Sequence, residues 1–385
     1  MSLFGRGRLN NLKEKTSKVR NQGFPIRRQG PSSASIPPKK IEWEVYVDQS
    51  KQSLDRGGSA TLDAFLSLAP PATVRVIAAT FPTGAASSSG SSSSYSGLKK
   101  TKGPLVRCLS IDGLRCFDVG NVDSVDKVYR ILTRHMKLSN KLIPYSSCEC
   151  LKWKYKGNAH LEAGKFDNAV NAYNEGLQML AASGRKNQAQ NMTNAADSLI
   201  LEANEEQQRQ QEGILLLMRA TAYLQRASSH KSELKGIVKE LMRIVPDAAK
   251  LKNLYEQVPP SLSHSMFRRV LSDTAQQEES FRRTQYWHGL YQYALLQAAQ
   301  DALQATQLLP EYSRGWARAG EILSELWKLG ESMQYYEKAA QCDPSLQPQL
   351  KPVIDRLRKR QDLLESARAY GWSEDTLRLA LDVAG

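Results

Sequence analysis

LKWKYKGNAHLEAGKFDNAVNAYNEGLQML, residues 151–180, sets small residues against large ones at helical spacing. Trp153 stands four residues before Gly157, and His160 follows three residues after it. Gly164 interrupts the pattern; Phe166, Ala169, Tyr173, Gly176 and Leu177 resume it. Small residues let two antiparallel helices approach closely, and large ones fill the holes between them. A second stretch, RGWARAGEILSELWKLGESMQYYEKAAQCDPS (314–345), puts Trp316, Gly320, Leu323, Ser332, Tyr336, Ala339 and Pro344 in the same register. Gly157 to Ala169 is 12 residues, and so is Gly320 to Ser332. Within the first stretch Lys154 and Asn158 lie one turn apart, beside Gly157, so they share a helix face.

These two stretches resemble tetratricopeptide repeats. The resemblance implies a mainly α fold, a helical-repeat solenoid in which each helix pair leaves an apolar flank for the next pair to cover. A third repeat is split. LLLMRATAYLQRA (215–227), with Ala220 and Tyr223, reads as its first helix. LLQAAQDALQATQLLPEYSRGW (295–316), with Ala298, Asp301, Ala305 and Pro310, contains its second. Ala298 to Gly320 is 22, the step expected from a second helix to the next repeat. Ala220 to Ala298 is 78, so 66 residues exceed the normal interval of 12. Gly157 to Ala220 is 63, which exceeds the repeat period of about 34 residues as well.

The extra segments, about 182–210 and 228–293, are themselves helical in pattern. They predict an arm of antiparallel helices grown from the middle repeat, with Tyr286, Trp287, Tyr291 and Tyr293 packed inside it; a partner-binding surface is the alternative reading of those aromatics. Pro259 and Pro260 must interrupt a helix there. Residues 346–385 read as capping helices, with Ser373 as an N-cap ahead of Asp375.

The head of the chain differs. Residues 1–40 hold ten Lys/Arg and one acid, Glu14, whereas 148–385 hold thirty basic and twenty-nine acidic residues. The net charge of +14 therefore belongs mostly to a basic tail, expected to be disordered. A nuclear-import patch, an anionic-surface patch and an organelle transit peptide are further readings of that composition. Residues 41–140 predict a small irregular α/β region, with strand-like IEWEVYV (41–47), TVRVIAATF (73–81) and PLVRCLSI (104–111). A helix is expected in VDSVDKVYRILTRHM (122–136), and GAASSSGSSSSYSG (84–97) reads as a flexible linker. The repeat domain is expected over 141–345.

The expected function class is binding. The five cysteines form no C-x-x-C pair, and the His residues are scattered. That gives no expectation of a metal, cofactor or disulfide framework and fits a reducing compartment, the cytoplasm. No apolar run reaches the length of a membrane span. No nucleophile–base pair or phosphate loop stands out, so no enzyme is expected. A balanced body argues against a nucleic-acid reader; a nucleic-acid or membrane-surface binder working through the basic tail is an alternative.

The resemblance narrows further to co-chaperones whose "carboxylate clamp" grips the C-terminal Glu-Glu-Val-Asp tail of a heat-shock chaperone. That family's Lys-x-x-x-Asn falls on Lys154 and Asn158. Its Lys-x-x-x-Arg falls on Arg314 and Arg318, with arginine replacing lysine. Its middle Asn falls on Met218, a departure, because a thioether does not donate to a carboxylate. The implied partner is a chaperone's C-terminal peptide; other clients are unspecified. A general scaffold using the helical arm is the alternative within the binding class.

Overall fold

The computed structural model describes residues 41–71, 73–81, 103–139, 142–190, 195–244 and 275–369. The basic tail, the Ser-rich stretch 84–97, Pro259 and Pro260, and the expected last helix after Ser373 lie outside the described residues. The described chain is mostly helical, with one small sheet. It divides into two compact units, Met1–Cys148 and Glu149–Gly385.

In the first unit four strands form a sheet of order β2-β1-β3-β4: β1 (Trp43–Asp48), β2 (Val74–Ala79), β3 (Val106–Ser110) and β4 (Cys116–Val119). β1 runs parallel to β2, which needs a crossover; α1 (Lys51–Leu54) and α2 (Gly58–Leu68) supply it. β1–β3 and β3–β4 are antiparallel. Trp43, Val45 and Val47 alternate along β1 and are buried, as are Phe65 and Leu68 on α2. Thr61 Oγ1 donates to the buried Val122 carbonyl, tying α2 to the segment before α3 (Val125–Arg130). The three strand-like stretches are strands. The helix expected in 122–136 is α3, continued by a π-helical turn over Ile131–His135.

The second unit is built from helical pairs. The first pair is α4 (Tyr145–Glu162) and α5 (Phe166–Gln190), joined by a turn in which Gly164 takes φ +71°. The middle pair is α6 (Ala195–Ile244) and α7 (Ala275–Leu308), which pack along each other. The third is α8 (Ser313–Glu325) and α9 (Leu329–Cys342), and α10 (Gln347–Ala369) packs on α9. Leu350, Leu357 and Leu364 repeat every seven residues and form the buried stripe of α10 against Leu329, Tyr336 and Ala339. Pro352 lies inside that helix, in its second turn, and forgoes one backbone bond there. Among the described residues no helix is long and apolar enough to cross a membrane.

The long intervals of the sequence become long helices: α6 has 50 residues and α7 has 34. Where they cross the repeat core, Ala220, Leu224, Ala227, Tyr291, Ala294, Leu295, Ala298 and Ala302 share one cluster. The aromatic group of the arm divides, contrary to the expectation that it packs together inside. Tyr291 is buried and Trp287 is half-buried against the His230 ring, centroids 5.2 Å apart. Tyr286 and Tyr293 are 62% and 55% exposed. The reason is helical phase. Residues 286 and 293 are seven apart and share a face with the exposed Leu296, while 291, 294, 295 and 298 form the inward face.

Candidate peptide-binding site

The close contact within the first pair is set by Gly157. A Cβ there would lie 2.3 Å from Tyr173 Cε1, so only glycine fits beside that ring. Gly320 takes the same place in the third pair, with Tyr336 carbons and the Ser332 carbonyl oxygen 3.2 Å from its missing Cβ. Ser332 is fully buried, and its hydroxyl donates to the Gly320 carbonyl at 2.6 Å. Ala220 takes this place in the middle pair and is fully buried.

Those three positions give a common origin for the first helices. Lys154 and Asn158 lie at −3 and +1 from Gly157; Met218 lies at −2 from Ala220; Arg314 and Arg318 lie at −6 and −2 from Gly320. Positions −6, −3, −2 and +1 occupy one helical stripe. At 100° per residue it is centred about 110° around the helix from the small residue that meets the second helix. The five residues singled out from the sequence thus share one phase on three successive first helices.

Reading all four places on each helix gives the chemistry of the stripe. The first pair supplies Leu151, Lys154, Tyr155 and Asn158. The middle pair supplies the half-buried Ile214, Met218 and Thr221, a largely apolar centre, while Leu217 is buried against Leu216 and Ala305. The third supplies Arg314, Ala317, Arg318 and Glu321. Cationic ends therefore flank an apolar middle.

The local geometry differs from end to end. Lys154 is 9% exposed, with its ammonium 5.5 Å from the Tyr155 ring centroid. One turn earlier, burial pushes the Cys150 thiol up to about 12 despite the nearby Lys154 charge, so Cys150 is an inert packing residue. Asn158 accepts a 2.8 Å hydrogen bond at Oδ1 from the Tyr173 hydroxyl. Burial raises the pKa of Tyr173 well above the ordinary phenol range, with a smaller push from Glu162, so it remains a donor. With Oδ1 engaged, the Asn158 amide presents its NH2 donors. Arg314 is exposed; Arg318 is half-buried and its guanidinium bonds the Glu321 carboxylate one turn on.

Met218 is half-buried against the cluster of Tyr173, Leu215 and Ala222. Its neighbour Arg219 was not singled out from the sequence. The guanidinium of Arg219 makes two 2.7 Å bonds to the carboxylate of Asp301 and a third to Asn174 Oδ1. It joins both helices of the middle pair to the second helix of the first. Burial opposes the charge on Arg219, but bonding to Asp301 outweighs it and raises the pKa. Only the pairing of a middle-repeat Arg with Asp301, 82 residues later, could have signalled this network.

Away from the stripe, a pocket forms between the Gly164 turn and α6, lined by Lys165, Asp167, Asn168, Arg226, Ser229 and His230 among others. Arg226 pairs with Asp167 there at 2.8 Å. Burial, and then the Arg226 charge, hold His230 below the ordinary imidazole range against the pull of Asp167 and Glu233. Among the described residues no cluster of three or more His, Cys, Asp or Glu could hold a metal ion. No protein-family model and no curated protein matches this chain.

Proposed function

We propose that the second unit is a non-enzymatic tetratricopeptide-repeat adaptor that captures an acidic chain terminus in the stripe of its first helices, as carboxylate-clamp co-chaperones do. The carrying observation is the common phase of Lys154, Asn158, Met218, Arg314 and Arg318. Supporting it, Tyr173 fixes Asn158 with its amide donors available. A chain end carries a carboxylate that no internal residue has, and charge-assisted bonds to it are the strong kind. An apolar centre between cationic ends suits a tail with an aliphatic side chain between carboxylates. Met218 in place of an amide removes one hydrogen bond and leaves an apolar contact. The partner this reading favours is the C-terminal peptide of a heat-shock chaperone, in the cytoplasm.

The test titrates the full chain with a fluorescent peptide ending in Met-Glu-Glu-Val-Asp, beside the same peptide amidated at its C-terminus. Expected are micromolar binding of the free acid and loss on amidation. Lys154→Ala should weaken binding by about tenfold or more, the loss of one charge-assisted bond, and Arg318→Ala should weaken it by less. Equal binding of acid and amide would overturn the clamp. The second reading, a scaffold that engages partners through its arm, is favoured by Tyr286, Tyr293 and Leu296, exposed on one face of α7. Retention of partners by a Lys154→Ala/Arg318→Ala chain, and their loss on Tyr293→Ser, would select it.

A further inference from the structure

Glu321 stands out once the stripe is laid out. It is one residue past Gly320, the place Asn158 holds past Gly157. It is the acid among the twelve stripe positions, and it pairs with Arg318. The pair is solvent-accessible at both ends, Arg318 33% and Glu321 49% by side chain, so it can open without disturbing the core. The first pair offers an amide at this place and the third offers a carboxylate.

We propose that Glu321 is a built-in competitor that occupies Arg318 in the unliganded protein and attenuates the grip of the third-pair end of the groove on ligand carboxylates. This rests on the clamp reading above. A ligand carboxylate reaching Arg318 exchanges one ion pair for another, so its net gain is small. It must also approach the Glu321 charge, which like-charge repulsion disfavours. At the first-pair end the residue in the corresponding place, Asn158, is uncharged. Glu321 therefore sets how strongly an upstream acid of the ligand is held at Arg318. A second upstream acid shifts the exchange towards the ligand, and a neutral residue leaves Glu321 in place.

The experiment measures binding of two free-acid peptides, ending in Met-Glu-Glu-Val-Asp and Met-Gln-Gln-Val-Asp. The proteins are the unaltered chain, Glu321→Gln, Arg318→Gln and the double variant. Glu321→Gln is expected to tighten the Glu-Glu peptide by about three- to tenfold at low salt, to change the Gln-Gln peptide less, and to widen the difference between them. That gain should vanish in the Arg318→Gln background and shrink towards physiological salt. If the unaltered chain binds and Arg318→Gln weakens it, but Glu321→Gln changes nothing, the competitor role is overturned and the clamp stands. If the gain persists without Arg318, Glu321 acts as bulk charge and the proposal falls. If neither the unaltered chain nor Glu321→Gln binds either peptide, the clamp reading fails with it. Binding only by Glu321→Gln would support an occluding role.

Discussion

In the first and third helical pairs a glycine faces a tyrosine, Gly157 with Tyr173 and Gly320 with Tyr336. In the middle pair the corresponding residues are Ala220 and Ala302, both fully buried in one cluster. The same place is filled by opposite divisions of volume: nothing beside a large ring, or two methyl groups. The outer pairs rely on shape at this point. The middle pair adds a polar lock, Arg219 bonded to Asp301 and Asn174, which also reaches the first pair. The middle helices continue beyond the cluster they share, and the lock fixes their register near it.

The most damaging single change should therefore be in the lock. Asp301→Ala leaves the half-buried Arg219 guanidinium without its carboxylate and should cost about 3–5 kcal/mol in denaturant unfolding of the second unit. A loss under about 1 kcal/mol would show that Asn174 and solvent suffice, and the contrast between middle and outer pairs would dissolve. Next come the glycines. Gly157→Ala drives a methyl to 2.3 Å from the Tyr173 ring and should cost about 2 kcal/mol after the gain in helix propensity. Gly320→Ala meets contacts no closer than 3.2 Å and should be near neutral. Equal effects would mean that the two outer pairs do not differ in tightness.

Ser332 marks another difference between the pairs. The corresponding residues of the other pairs, Ala169 and Ala298, are alanines. Ser332→Ala removes the hydroxyl bond to the Gly320 carbonyl and should cost about 1 kcal/mol. A neutral result would mean that the serine only fills the space of an alanine.

These particulars explain what the sequence could disclose. Helix pairing was legible because close packing leaves a local mark: Gly157 and Ala169, or Gly320 and Ser332, sit at fixed separations whatever lies between repeats. The extra length of the middle pair was legible as a displaced interval, and its described part is helical. α2 was not, because its N-cap is Gly57 at φ +93° with no side-chain cap bond, so no start signal marked it. The exposure of Tyr286 and Tyr293 was also hidden, since aromatic composition does not reveal phase against a partner helix. For the candidate site, Lys154, Asn158, Arg314 and Arg318 were picked by local motif. Glu321 escaped because its meaning depends on its register with Asn158 across two different pairs. Arg219 escaped because its partner lies 82 residues away.

The junction of arm and third pair offers the smallest effect, and a clean sign. Glu325, near the end of α8, accepts 2.8 Å and 3.0 Å bonds from Lys231 Nζ of α6 and the Tyr291 hydroxyl of α7. Burial raises its pKa, but the charge and hydrogen bond of Lys231, the Tyr291 bond and the Arg360 charge outweigh that, and the net shift is downward. A carboxylate with a depressed folded-state pKa stabilises the fold above its unfolded pKa, and the contribution is lost as pH falls through the folded one. Stability should therefore decline below about pH 4. Because the side chain is 37% exposed, solvent screens the pair and the share belonging to Glu325 is under about 1 kcal/mol. Glu325→Gln should lower stability slightly at pH 7 and flatten the acid limb of the pH–stability curve. An unchanged acid limb would show that Glu325 does not carry the acid sensitivity.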